Sequence, residues 1–236
     1  MTRAILIAGN ESTLLSGVAA EAAKRVESFS LAVIPNRFPM PESVRPPASG
    51  TAPGGTAPGA EKPGEKAQRL AWNPASPISA RSLVLAAENR MGQINNAVLV
   101  CSPPAVFKTV EALTPEEIEI LVNDHIKGWF FLARELALYF RRSGSGSLSL
   151  VAPEPSGGVK NTQIDILGLS ASASFKTFTQ GILSLSAQEP YQVMGFTGYE
   201  AGAENEFASW LFKIIDEEEK KNSGRWHKYA KYGFFR

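Results

Sequence analysis

Short apolar runs alternate with amphipathic stretches along most of this chain. Ala4 to Ala8 is a run of small and branched apolar residues with no polar interruption, as a strand buried on both faces requires. Leu14 to Glu27 carries its apolar residues at helical spacing, and Leu31 to Pro35 is apolar again, so the opening predicts a βαβ unit. A short strand at Arg69 to Trp72, a helix over Ile78 to Arg90 and a strand at Ala97 to Val100 continue the alternation. Gly92 ends that helix, and the loop after Val100 opens into Cys101-Ser102-Pro103-Pro104.

The second half begins on Thr114-Pro115-Glu116-Glu117. This order supplies an N-cap hydroxyl, a proline at the first helical position and acidic groups at the positive end of the helix dipole. From Ile118 an apolar stripe passes through Val122, His125, Trp129, Leu132 and Leu136, which predicts a helix of about 25 residues. Ser147 to Val151 reads as a strand, Ser172 to Ser186 as a helix with Phe175, Phe178, Ile182 and Leu185 on one face, and Tyr191 to Phe196 as a strand. Glu204 to Lys221 is an amphipathic helix, and the aromatic tail from Trp226 to Phe235 offers a last short strand or a packing surface. Strands and helices in this order predict an α/β fold, with a doubly wound, mostly parallel sheet between two helix layers.

One stretch breaks the pattern. From Phe38 to Lys66 the chain turns to Pro, Gly, Ala and Ser, and Thr51-Ala52-Pro53-Gly54 is nearly repeated as Thr56-Ala57-Pro58-Gly59. Too little apolar surface is present to offset chain entropy, so residues 38–66 are expected to form a mobile insertion where a second helix would otherwise lie. With 236 residues and 44% hydrophobic composition, residues 1–236 are expected to form one domain around this insertion.

Charge and cysteine content narrow the function. A formal net charge of +1 gives no electrostatic ground for nucleic acid or anionic membrane as partner. The single cysteine, Cys101, rules out an internal disulfide framework, and two histidines far apart in sequence do not make a zinc motif. No apolar run reaches membrane-spanning length. Met1-Thr2-Arg3 leads directly into the first strand, whose apolar run is too short for a secretory signal, so the cytoplasm is the expected location.

Gly92-Gln93-Ile94-Asn95-Asn96-Ala97-Val98-Leu99-Val100, with the loop that follows, resembles Gly-x-Ile-Asp-x-Leu-Val-Asn-Asn-Ala-Gly of the short-chain dehydrogenase/reductase family. The order and spacing of the other elements resemble that family along nearly the whole chain. The resemblance implies a Rossmann-like three-layer sandwich, NADP as cofactor and a carbonyl or alcohol as substrate. The family's phosphate turn falls on Ala8 to Leu15, where Gly9 is retained beside Asn10, Glu11 takes a phosphate-facing place, and the later glycines are lost. Arg37, after the second strand, resembles the residue that contacts the NADP 2′-phosphate; Asn73 stands at the adenine position and Ser102 in the loop that touches the dinucleotide.

The family's catalytic pair is Tyr-x-x-x-Lys on one helix face, where the ammonium lowers the phenol pKa. Lys176 matches the lysine, and the tyrosine position holds Ser172; Leu169 stands where the enoyl-reductase variant has its tyrosine. The catalytic serine position falls in Ala152-Pro153-Glu154-Pro155, without a hydroxyl. His125 takes the place of the asparagine that organises a relay water, and histidine is a residue type whose ordinary pKa lies near neutrality. Cys101 paired with His125 would be a second source of nucleophilic chemistry.

Two readings follow from this set. One is a catalytically impaired relative acting as a binding, regulatory or structural subunit. The other is an NADP-dependent oxidoreductase with a non-standard acid: His125, Tyr191 or Tyr199. Under both, Trp129-Phe130-Phe131 makes the long helix apolar on more than one side. The resemblance implies that helices over 115–140 and 172–186 pair with a second copy as a homodimer, and another protein partner would fit the same face.

Overall fold

A computed structural model of the chain describes residues 3–25, 28–35, 37–38, 67–152, 165–199, 201–217 and 220–230. The expected insertion, apart from Phe38, and the serine-equivalent positions after Ala152 lie outside the described residues. The strands are β1 (Ala4–Asn10), β2 (Ser28–Ile34), β3 (Ala67–Leu70), β4 (Asn96–Val100), β5 (Ser147–Val151), β6 (Gln192–Thr197) and β7 (Arg225–Lys228). They form one parallel sheet in the order β3-β2-β1-β4-β5-β6-β7. The order reverses between β1 and β4, so the crevice at their carboxyl ends is the topological switch point.

The helices are α1 (Thr13–Arg25), α2 (Pro77–Met91), α3 (Pro115–Ile120), α4 (Gly128–Ser143), α5 (Ile166–Leu185) and α6 (Glu204–Asp216). Strands β1, β4 and β5 are buried along their whole length, and their side chains feed two cores on opposite faces. On one face α2, α4 and α5 cover Leu6, Ala97, Leu99, Leu148 and Leu150. On the other, α1 and α6 cover Ile5, Ile7, Val98, Val100, Val151 and Phe196.

The local signals act where the sequence places them. Thr114 Oγ1 accepts the Glu117 N–H while the Glu117 carboxylate accepts the Thr114 N–H, which closes a capping box ahead of α3. Gly144, at φ 71°, ends α4 in the left-handed conformation that a side chain would oppose. Between α3 and α4 the residues Leu121–Lys127 form a π-helix, so the predicted long helix is one rod with a wider stretch inside it. Helix α5 starts at Ile166, six residues ahead of the expected Ser172, because Asp165 caps it through the Gly168 N–H at 2.8 Å. Helix α6 ends at Asp216, short of the expected Lys221, and the chain then turns into β7 at the sheet edge.

The aromatic triplet divides. Trp129 is 1% exposed and sits between Trp72 and Phe175, with ring centroids 5.6 and 5.3 Å away. Phe130 is 46% exposed and lies against Phe178 of α5 at 4.1 Å between centroids. Phe130, Phe178, Ile182 and Leu185 line an open apolar groove between α4 and α5. Among the described residues, no helix is long and apolar enough to cross a membrane.

Candidate functional site

Strand β1 runs through Asn10, and α1 begins at Thr13, so the turn between them is only Glu11 and Ser12. Two backbone N–H groups at this turn are engaged from within. The Glu11 N–H donates to the Ile34 carbonyl at 3.0 Å, and Ser12 Oγ accepts the Leu15 N–H at 3.1 Å. At Gly9 an added Cβ would lie 2.6 Å from Leu15 Cδ1 and 3.0 Å from the Val100 carbonyl oxygen. The glycine therefore admits the Leu15 side chain over the strand end, which is a packing requirement. Gly17 serves helix contact in the same way, since its Cβ would meet Glu204 at 3.0 Å.

Asn10, Ser102 and His125 converge at the crevice. The Asn10 side chain is buried, its Oδ1 accepting the Ser102 N–H at 2.8 Å and its Nδ2 lying 2.7 Å from His125 Nδ1. Because Oδ1 is committed to an N–H donor, the amide nitrogen must donate to the imidazole, and Nδ1 is the acceptor. His125 reaches this position from the π-helical stretch, where it is 1% exposed beside Asp124, also 1% exposed. In a regular α-helix, consecutive residues point about 100° apart, so seating both inward uses the wider π turn. The Phe38 ring stacks on His125, with centroids 5.7 Å apart and planes 16° apart.

Electrostatics keep this histidine neutral. Burial pushes its pKa down to about 4, against an opposing pull from Asp124, and the weaker effect of the Arg37 charge adds to the lowering. The Arg37 guanidinium is bound by the Asp124 carboxylate through Nε at 2.7 Å and through Nη2, a bidentate pair that bridges the end of β2 to the π-helical stretch. The hydrogen bond to Asp124 raises the Arg37 pKa. Cys101 is fully buried below, and burial pushes its thiol well above the usual range. A buried thiol with a raised pKa and a histidine whose Nδ1 is occupied by Asn10 make no nucleophile–base pair.

The remaining residues of interest lie elsewhere. Lys176 is exposed on α5, and the inward positions of that helix are Ala171, Phe175 and Thr179. Asn73 is exposed and shapes a turn into α2, its Oδ1 accepting the Ala75 N–H at 3.1 Å. Tyr191 precedes β6, at the sheet end remote from the crevice, packed on Phe140 at 5.4 Å with its pKa pushed by burial up to about 12. Tyr199 donates to Glu204 Oε1 at 2.7 Å, where Thr13 Oγ1 donates as well at 3.0 Å. Asp124 carried no signal in the sequence; only its pairing with Arg37 gives it a place in the site. Asp165 was missed for the same reason, although it also holds the β4–α3 loop through the Val106 N–H at 3.0 Å. Among the described residues no cluster could hold a metal ion.

The sheet order, the two helix layers and the crevice define a known class of fold. No family model matches the sequence, and no sequence among the curated proteins matches it either. Solved structures do match. A short-chain type dehydrogenase/reductase from Mycobacterium marinum superposes with a TM-score of 0.72 at 14% identity, over 96% of this chain and 92% of that one. A mutant short-chain dehydrogenase/reductase from Serratia marcescens gives 0.69 at 12% identity, covering 96% and 95%. A metagenomic short-chain oxidoreductase in complex with NADP gives 0.69 at 11% identity, covering 97% of each chain. The chain has the short-chain dehydrogenase/reductase fold, with its parallel Rossmann-like sheet.

Proposed function

We propose that this protein is a divergent, catalytically impaired relative of the short-chain dehydrogenases that acts as a binding, regulatory or structural subunit in the cytoplasm. The observation that carries this reading is the closed β1–α1 turn. A dinucleotide pyrophosphate needs free N–H groups and close backbone approach at the start of α1. Here Ser12 caps the helix, Leu15 covers Gly9, and Glu11 contributes a negative charge. The residues of the cofactor site thus do not fit NADP: Arg37 is engaged by Asp124, while Asn73 and Lys176 face solvent. The groove between α4 and α5, with Phe130 exposed at its edge, supports a homodimer through the helices over 115–140 and 172–186.

A calorimetric titration with NADPH and NADH into the millimolar range tests the reading. No binding is the expected result. Saturable NADPH binding that Arg37→Ala weakens would refute it, and would return the chain to NADP-dependent oxidoreductase chemistry with His125 as the acid to examine.

A further inference from the structure

We propose that the trough between α2 and α4 docks an acidic amphipathic helix of a partner protein, with the partner's apolar stripe on Ile78, Leu85 and Leu138 and its carboxylates on Arg81, Arg134 and Arg142. The inference rests on the binding role proposed above and names the chemistry of the partner.

Helical spacing builds the surface. On α2, Ile78, Arg81 and Leu85 stand three and four residues apart and share one face; on α4, Arg134, Leu138 and Arg142 do the same at four-residue steps. Val84 and Tyr139 are buried beneath them and give the trough an apolar floor. The trough holds about 450 Å³, and from Ile78 to Leu85 or Arg134 to Arg142 it runs roughly 10–12 Å, about two helical turns. Ile78 is 76% exposed, and Leu85 and Leu138 are exposed as well. Two helices side by side leave a groove of the shape that a third helix fills.

Charge selects the occupant. Three arginines line the trough against one glutamate, in a chain whose whole balance is +1. Arg81 has no ion-pair partner among the described residues. Arg134 pairs with its neighbour Glu135, and Arg142 is held over the Tyr139 ring at 5.4 Å by Glu88 at 3.1 Å. Carboxylates flanking an apolar stripe answer both the exposed hydrophobes and the surplus of guanidinium forks. An anionic membrane fits less well, because the apolar residues line a concavity and Glu88 and Glu135 stand among the arginines. The trough lies on the other flank of α4 from the Phe130 groove, and so is separate from the face proposed for the homodimer.

The test titrates the full-length protein into a fluorescein-labelled helical peptide of about 18 residues, with leucines at three- and four-residue spacing and glutamates between them, read by anisotropy. A twin peptide with lysine for every glutamate is the control. Saturable binding of the acidic peptide alone is expected, weakened by salt. Arg81→Glu and Leu138→Asp should each weaken it about tenfold, and Phe130→Glu should leave it unchanged. Arg81 is exposed, so its variant still decides should Leu138→Asp fail to fold. No saturable binding of the acidic peptide overturns the proposal, and so does equal binding of the lysine twin. Loss with Phe130→Glu in place of Arg81→Glu would put the peptide in the α4–α5 groove and overturn it. Sedimentation with phosphatidylserine vesicles that Arg81→Glu abolishes would make the surface a lipid one, and a change in light-scattering mass with Arg81→Glu would make it a contact between copies; either overturns the proposal. No nucleotide enters these measurements, so their failure is distinct from the detection of NADPH binding.

Discussion

Asn10→Ala is the most informative single change, because one buried amide ties the end of β1 to the β4 loop and to the π-helical stretch. Truncation removes the contacts to Ser102 at 2.8 Å and His125 at 2.7 Å, each worth about 1 kcal/mol net. It also strands a backbone donor and an imidazole acceptor, and a buried group left unpaired costs about 1–3 kcal/mol. The Ser102 end is partly exposed and water can answer it, so the sum is expected near 2–3 kcal/mol, mostly from the His125 side. For a chain of 236 residues that lowers the melting temperature by about 4–12 °C. Urea denaturation followed by circular dichroism measures the loss, and a cycle with His125→Phe measures the coupling. Asn10→Asp sharpens the case: a carboxylate still accepts from Ser102 but cannot donate to Nδ1, so the His125 proton should move to Nδ1 and its pKa should rise. A loss under about 0.5 kcal/mol for Asn10→Ala, or strict additivity in the cycle, would refute the reasoning.

Further outcomes follow from the same geometry. His125 titrates near 6.5 when unfolded and about 4 when folded, so its neutral form stabilises the fold fully above pH 6.5. As pH falls from 6.5 to 4, wild type should lose about 3 kcal/mol relative to His125→Phe, and parallel stability curves would contradict this. Gly128→Ala places a Cβ 2.5 Å from Pro74 Cβ, in a rigid ring that cannot rotate away, and should cost about 1–3 kcal/mol in urea unfolding. Phe130→Glu should convert the proposed dimer to monomer in light scattering with little change in unfolding midpoint, since Phe130 is 46% exposed; a wild-type monomer at micromolar concentration would remove that interface. Trp129, buried in the core of its own subunit, is the wrong residue for that test.

The fold was legible because parallel strands covered on both faces leave an unmixed signal. Ser147–Val151 matches the expected strand residue for residue, and Thr114 with Pro115 marked the start of α3. Helix α5 was harder, since its first turn, Ile166 to Leu169, carries its apolar residues without a clean stripe and depends on Asp165 for its cap. The contacts within the crevice were not legible in the sequence. Asn10, Ser102 and His125 do meet, yet what joins them is a pair of hydrogen bonds through one amide. Periodicity cannot reveal such a link. Lys176 shows the converse: its neighbours Phe175 and Phe178 made the helix obvious, but one position of rotation separates the inward face from the solvent. Arg37 needed its partner, because an arginine at a strand end means one thing opposite a phosphate and another opposite Asp124.

The π-helical stretch also sets a phase. Each π turn carries one residue more than an α turn, so Leu121–Lys127 offsets the angular setting of α4 relative to α3. Deleting a single residue there would restore an ordinary helix with its two ends close to their present phase, because the wider turn takes up one extra residue. What would be lost is the joint inward seating of Asp124 and His125, on which the Arg37 clamp and the Asn10 bond depend. The extra residue thereby belongs to the crevice alone: the flanking helices would pack the same without it, and the paired Asp124 and His125 would not.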